Sequence, residues 1–274
     1  MIIRTLLENK SFQEKLGSEH GLSLLIETKE ATVLFDMGAS DLFARNAKVM
    51  GVDLANVDLA VISHGHYDHT GGLQTFFEGN NQAPVYIHSA ACGEFVTPGE
   101  DGWRYIGIPK TSAPEDRFIK VQGDVEISKS LKILAEVQPN HLNPPDNKVM
   151  FQKGPNGYEL DRFIHEQNLV LRQGEKTVLI TGCAHKGIVN IMDYFYQNEG
   201  KWPDVVIGGF HLVNREWSEE MVEFIGKIGE FFKSTPTHFY TGHCTSEKAL
   251  RLLKNQLGNQ IEELSTGMVL NLFD

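Results

Sequence analysis

Short apolar runs and helical repeats alternate along this chain, and their order outlines the fold. Residues 21–28 and 31–36 are apolar runs parted by Lys29 and Glu30, the pattern of a hairpin. After a turn at 37–40, apolar positions from Asp41 to Met50 recur at helical intervals. Residues 57–62 form a continuous apolar run that reads as a buried strand, and a polar loop, a helix from about Leu73 and a strand over 84–88 follow it.

The second half repeats a strand-then-helix rhythm. Strands are expected over 168–172, 176–181, 203–209 and 237–241, with helices from Ile188 to Tyr196, after Ser218, and from Glu247 to Leu257. Glu219 and Glu220 fall in the first turn of the middle helix, where the helix dipole favours acidic groups. Between the halves, residues 93–161 are turn-rich, with Pro98, Pro109, Pro114, Pro139, Pro144 and Pro145 interrupting short strand-like runs. An irregular segment of this length inside a compact domain reads as a lid or substrate wall. The expectation is one domain, 1–274, with 93–161 as that insertion.

The loop after 57–62 carries the chemistry. His64, His66, Asp68 and His69 stand at H-x-H-x-D-H spacing, followed by Gly71-Gly72. Imidazole and carboxylate are the donors that zinc, iron and manganese accept, and four of them at a strand end make a metal centre the expected reading over a solvated loop. In an extended segment His64 and His66 project to the same side, and Asp68 and His69 follow the turn, which suits two adjacent cations. Three later strands also run into histidines, at His185, His211 and His243, each beside glycine or cysteine. Neighbouring strands of one sheet bring such ends together.

Composition narrows the partners. The 274 residues carry a formal charge of -11, which disfavours a nucleic-acid partner. Two divalent ions would still make the cleft locally cationic, so a small anionic substrate is expected. No apolar run approaches membrane-spanning length and no secretory leader is evident at the start, so neither membrane association nor export is expected, and the cytoplasm is the expected location. Cys92, Cys183 and Cys244 are odd in number and widely spaced, which argues for thiols rather than a disulfide framework. The oligomeric state stays open.

The loop motif resembles the signature of the metallo-β-lactamase superfamily. The runs 19–23, 181–191, 208–212 and 242–245 are further similar to the branch of dihydropterin-6-yl-methyl-ribofuranosylaminobenzene phosphate synthase-like metal-dependent hydrolases. This resemblance implies an α+β, four-layer αββα sandwich holding two divalent metal ions, zinc first, with manganese or iron as alternatives. It implies that His64 and His66 with His185 hold one ion, and Asp68 and His69 with His243 the other. Cys183 stands where many members carry a bridging aspartate; it either coordinates or packs as a buried thiol.

The chemistry expected of that centre is hydrolysis of a phosphoester or related anion by a hydroxide held between ions about 4 Å apart. Asp68 belongs to the catalytic set, and His211 either protonates the leaving group or hydrogen-bonds within the sheet edge. Asp36 either orients a ligand imidazole or caps the following helix. His20 approaches the site only by the family motif, His141 sits on the lid segment, and His88, His165 and His238 read as structural. A synthase acting on a pterin or ribosyl-phosphate substrate is the nearest alternative, and a mononuclear iron dioxygenase a more distant one.

Overall fold

The computed structural model describes residues 1–110, 114–213 and 217–273; three positions of the expected lid, 111–113, therefore lie outside the described residues. The chain divides into two compact units. The first eight strands are β1 (Ile2–Leu7), β2 (Ser23–Glu27), β3 (Thr32–Phe35), β4 (Leu59–Val61), β5 (Val85–His88), β6 (Phe95–Gly99), β7 (Gly102–Tyr105) and β8 (Phe118–Val121). Next come β9 (Val125–Glu126), β10 (Leu131–Leu134), β11 (Phe151–Gly154), β12 (Gly157–Leu160), β13 (Asn168–Gln173) and β14 (Lys176–Ile180). The last four are β15 (Val205–Gly208), β16 (His238–Thr241), β17 (Ile261–Glu263) and β18 (Val269–Asn271). The helices are α1 (Leu42–Val49), α2 (Tyr67–Thr70), α3 (Leu73–Gly79), α4 (Ile188–Glu199), α5 (Glu219–Lys233) and α6 (Glu247–Leu257).

The first unit comprises Met1–Gly123, Val149–Gln167 and Ser265–Asp274. Its large sheet runs β18-β1-β2-β3-β4-β5-β8. The hairpin read from the sequence is β2–β3, paired antiparallel from Leu24 opposite Phe35 to Glu27 opposite Thr32. From β3 onward the pairing turns parallel, so the C-terminal ends of β3, β4 and β5 lie side by side and the loops leaving them share one edge. Helices α1 and α3 cover a face of this sheet: Phe43, Ala47, Leu73 and Phe76 join Leu34, Ala60, Val85 and Ile87 in one buried core. Phe43 and Ala47 are four apart, one turn of α1, which is why that pattern was legible.

A second sheet of the same unit, β12-β11-β6-β7, is built from the proline-bearing 93–161 segment. Its strands are short and largely exposed, with Trp103 packed on Phe151 and Tyr158 at ring separations of 4.9 and 5.1 Å. Few of its side chains are buried, so no strong alternation marked it in the sequence.

The second unit comprises Asp124–Lys148 and Asn168–Leu264. Its sheet runs β17-β16-β15-β14-β13-β10-β9, and the parallel run β14-β15-β16-β17 again aligns strand ends. Helix α5 starts where the sequence placed it: the Ser218 hydroxyl accepts from the Met221 N–H, and Met221, Ile225, Ile228 and Phe232 face the core. Phe232 stacks on Phe239 of β16 at 3.9 Å between ring centres. Burying side chains of this size contributes about 2–3 kcal/mol each. Helix α6 is capped by Ser246 through the Ala249 N–H and buries Ala249, Leu250, Leu253 and Leu257. Mixed sheets with packed helices give the α+β class expected. Among the described residues no helix is long and apolar enough to cross a membrane.

Candidate metal centre

In the first unit the loop leaving β4 runs beside Asp36, which follows β3. Asp36 is fully buried and left-handed at φ 56°. A non-glycine residue is held there only by its surroundings. Its carboxylate accepts the Ser63 N–H and the Ser63 hydroxyl, both at 2.7 Å, and lies 2.6 Å from Nδ1 of His69. Asp36 is thus an orienter of His69, and the helix-capping alternative falls: it is Asp41 that precedes α1.

These hydrogen bonds determine which nitrogen each imidazole offers. The Ser63 hydroxyl spends its proton on Asp36 and can only accept from Nδ1 of His64, 2.9 Å away, leaving the His64 lone pair on Nε2. That Nε2 lies 3.0 Å from Nδ1 of His66. The rings of His64 and His69 are 4.2 Å apart, and Oδ2 of Asp68 is 3.5 Å from Nε2 of His69. His20 reaches the same carboxylate, with Nε2 3.1 Å from Oδ2 of Asp68. Asp68 and His69 sit on the single turn α2, whose return is fitted tightly: a Cβ on Gly71 would come within 2.1 Å of the Ala39 carbonyl oxygen, so only glycine passes.

The electrostatics separate the histidines. Burial, then the nearby His165, push His66 down to about 3, so it is neutral at physiological pH. Burial also works against protonation of His69, but the Asp36 and Asp68 carboxylates outweigh it and push its pKa up to about 10. A cation arriving at His69 would take the place of that proton.

The sequence did not single out Asp161, and it read His165 as structural. Both are buried beside His66: the three residues present ligand atoms within 4.8 Å of one another. Their placement depends on β11 and β12, which no local pattern announced.

In the second unit the loops after β14, β15 and β16 bring Cys183, His211, His243 and Cys244 together, with His185 beside them. Ala184, His211 and His243 are left-handed at φ 57°, 49° and 50°, so each loop turns sharply just past its strand. The Gly209 N–H donates to the Gly182 carbonyl, and the His211 N–H to Sγ of Cys244 at 3.2 Å. Sγ of Cys183 lies 3.3 Å from Nε2 of His243, while Sγ of Cys244 lies 3.4 Å from the Cys183 carbonyl oxygen. Burial raises the Cys244 thiol, yet contacts with Cys183, His211 and His243 outweigh it and hold the pKa well below the usual thiol range.

His185 is oriented by Asn147, whose Oδ1 lies 3.1 Å from its Nδ1 and whose amide donates to the His185 carbonyl at 2.7 Å. Nε2 is thereby left as the lone-pair nitrogen of His185. The His211 ring lies 4.2 Å from that of His185, is buried, and among the described residues has no hydrogen-bond partner at either nitrogen. A buried imidazole in that state is ready for a cation or substrate. His141, from the expected lid, instead faces Asp193 at 3.4 Å, and His238 faces Glu262 at 2.9 Å. The donor chemistry of both sets, imidazole, carboxylate and thiol, fits divalent cations.

Comparison with known proteins bears on both units. Residues 16–152 match the family model described as the metallo-beta-lactamase superfamily. An uncharacterized protein of Methanocaldococcus jannaschii, MJ0448, is 30% identical over 264 residues, covering 94% of this chain and 95% of its own length. The 7,8-dihydropterin-6-methyl-4-(beta-D-ribofuranosyl)-aminobenzene-5'-phosphate synthase of the same organism is 27% identical over 292 residues, covering 98% of this chain and 95% of that enzyme. Among solved structures, Tm1679, described as a metal-dependent hydrolase of the beta-lactamase superfamily, superposes with a TM-score of 0.82 at 31% identity, covering 100% of both chains.

Proposed function

This chain belongs to the metallo-beta-lactamase superfamily, and on that premise we propose that it is a binuclear metal-dependent hydrolase of a small anionic substrate, a phosphoester. His64, His66 and His185 hold one ion in this reading, and Asp68, His69 and His243 the other, with Cys183 as an additional donor. Divalent cations, zinc above all, would supply a nucleophilic hydroxide near neutral pH and neutralise charge developing on a phosphoryl oxygen.

The observation that carries the proposal is the orientation of the imidazoles before any cation arrives. Ser63 turns His64, Asp36 turns His69 and Asn147 turns His185, each through Nδ1, so that Nε2 is the nitrogen on offer. Structural histidines need no such uniform arrangement. His211, buried with ring nitrogens that find no hydrogen-bond partner among the described residues, is the proton donor for the leaving group or the group that holds a substrate oxygen. The sheet β12-β11-β6-β7 serves as a substrate wall: Phe95 of β6 lies 5.7 Å from the His66 ring. The acidic chain is expected to need neither nucleic acid nor membrane as partner, and to act in the cytoplasm.

A synthase is the second reading, favoured by the 27% identity to the aminobenzene-phosphate synthase across nearly the whole chain. Metal analysis of protein purified without chelator tests the shared premise, with about two equivalents of zinc or manganese expected and none overturning it. Turnover of phosphomonoesters or phosphodiesters by that protein supports the hydrolase. Loss of phosphate or diphosphate only when a second, nucleophilic substrate is present supports the synthase.

A further inference from the structure

Cys183 and Cys244 leave strands that are not neighbours. Cys183 follows β14 and Cys244 follows β16, with β15 hydrogen-bonded between them. Two strand spacings amount to about 10 Å. Yet Sγ of Cys183, Sγ of Cys244 and a ring nitrogen of His211 all lie within 4.8 Å of one another. Both cysteines are thiols, and both are buried.

The end of β15 explains how they meet. A Cβ on Gly209 would come within 2.4 Å of Sγ of Cys244 and within 3.0 Å of the Gly182 carbonyl oxygen. Glycine at this position therefore leaves the gap through which Cys244 reaches across the middle strand to the loop of Cys183. Backbone bonds hold that gap from both sides. The Gly209 N–H donates to the Gly182 carbonyl at 2.9 Å, the Phe210 N–H to Oγ1 of Thr245 at 2.9 Å, and the His211 N–H to Sγ of Cys244 at 3.2 Å. The loops that carry the two thiols are thus fastened to one short stretch, residues 209–211.

We propose that Cys183 and Cys244 form a modification site, a dithiol that hydrogen peroxide closes into a disulfide. The sulfurs need to approach by at most about 3 Å to reach the S–S bond length of about 2 Å. In the first step one sulfur attacks peroxide: an S–O bond forms, the O–O bond breaks, and the departing hydroxide takes the thiol proton and leaves as water. The product is a sulfenic acid. The second sulfur then displaces the hydroxyl group, the S–S bond forms, the S–O bond breaks, and the second thiol proton leaves with the hydroxyl as water. The dithiol loses two electrons and the peroxide gains them. A disulfide is uncharged, whereas further oxidation of a single sulfur would place a sulfinate anion in a buried site. The adjacent thiol therefore directs oxidation to the crosslink.

The disulfide stands apart from the function proposed above, but one consequence rests on that reading. If Cys183 donates to a cation it does so as a thiolate, which a disulfide removes, so zinc and peroxide compete for this sulfur. Cys92 is exposed and is replaced in the test so that only the buried pair can react.

Metal-free, full-length protein carrying Cys92→Ser is treated with hydrogen peroxide, checked for fold by circular dichroism, alkylated and digested without reductant. Mass spectrometry is expected to find the Cys183 and Cys244 peptides joined with the loss of two hydrogen atoms. Both thiols are expected to be lost to a thiol reagent and regained on treatment with dithiothreitol. Persistence of both thiols, or sulfinic acid on either cysteine without the crosslink, overturns the proposal. A parallel sample receives excess zinc before the peroxide, and slower crosslinking is expected. Crosslinking at an unchanged rate supports the dithiol and overturns the donor role of Cys183 alone.

Discussion

Oδ2 of Asp36 lies 2.6 Å from Nδ1 of His69, and both side chains are fully buried. This contact couples proton and cation occupancy at the first unit's histidine loop, because His69 keeps its proton up to about pH 10 without metal. A group whose folded pKa is raised stabilises the fold below its unfolded value, near 6.5 for histidine, and loses that contribution as pH rises through the folded value.

The metal-free protein is therefore expected to lose stability between about pH 6.5 and about pH 10, and Asp36→Asn to flatten that slope. Thermal melts of metal-free protein across this window check it. A wild-type profile as flat as that of the variant would refute the coupling.

Metal loading at pH 8 is expected to release a proton from His69. Calorimetric titrations with zinc in two buffers of different ionisation enthalpy would differ by close to one proton more for wild type than for Asp36→Asn.

Replacing His211 by glutamine is expected to lower kcat about 10²–10⁴-fold while leaving metal per chain unchanged, because the ring would act on substrate rather than hold a cation. Kinetics and elemental analysis on the same preparation distinguish this from a ligand role, in which metal content falls too.

Asn147→Ala removes the group that orients His185 through Nδ1. A loss of metal affinity of about 10-fold is expected, with the fold retained. Chelator competition reads it.

Away from the centre, Arg172 NH2 lies 2.6 Å from Glu199 and its NH1 3.1 Å from Glu126. The Arg172 hydrogen bond holds Glu199 below the usual carboxylate range, against the opposing effect of burial. A depressed carboxylate stabilises above its unfolded pKa, about 4.5, and loses that contribution as pH falls through the folded value. Glu199→Gln is expected to cost about 1 kcal/mol at pH 7 and progressively less as pH falls below 4.5, measured by urea denaturation.

The legible parts of the fold were those whose information is local. Helix α6 was read with its observed bounds, because Ser246 and the spacing of Ala249, Leu253 and Leu257 all lie within the helix itself. The β2–β3 hairpin was legible for the same reason. The sheet β12-β11-β6-β7 was not: β6 pairs with β11 across more than fifty residues, and its exposed strands carry little alternation.

By itself the sequence determined the donor types and their attachment to strand ends: His64, His66, Asp68 and His69 after β4, and His185, His211 and His243 after three further strands. Residue chemistry and strand patterning are local properties, and both survive in a linear reading. Only the tertiary structure decided which nitrogen these rings offer, because the partners that settle it come from distant positions: Asp36 for His69 and Asn147 for His185. A tautomer is fixed by the group opposite the ring, and what stands opposite is known only once the chain has folded.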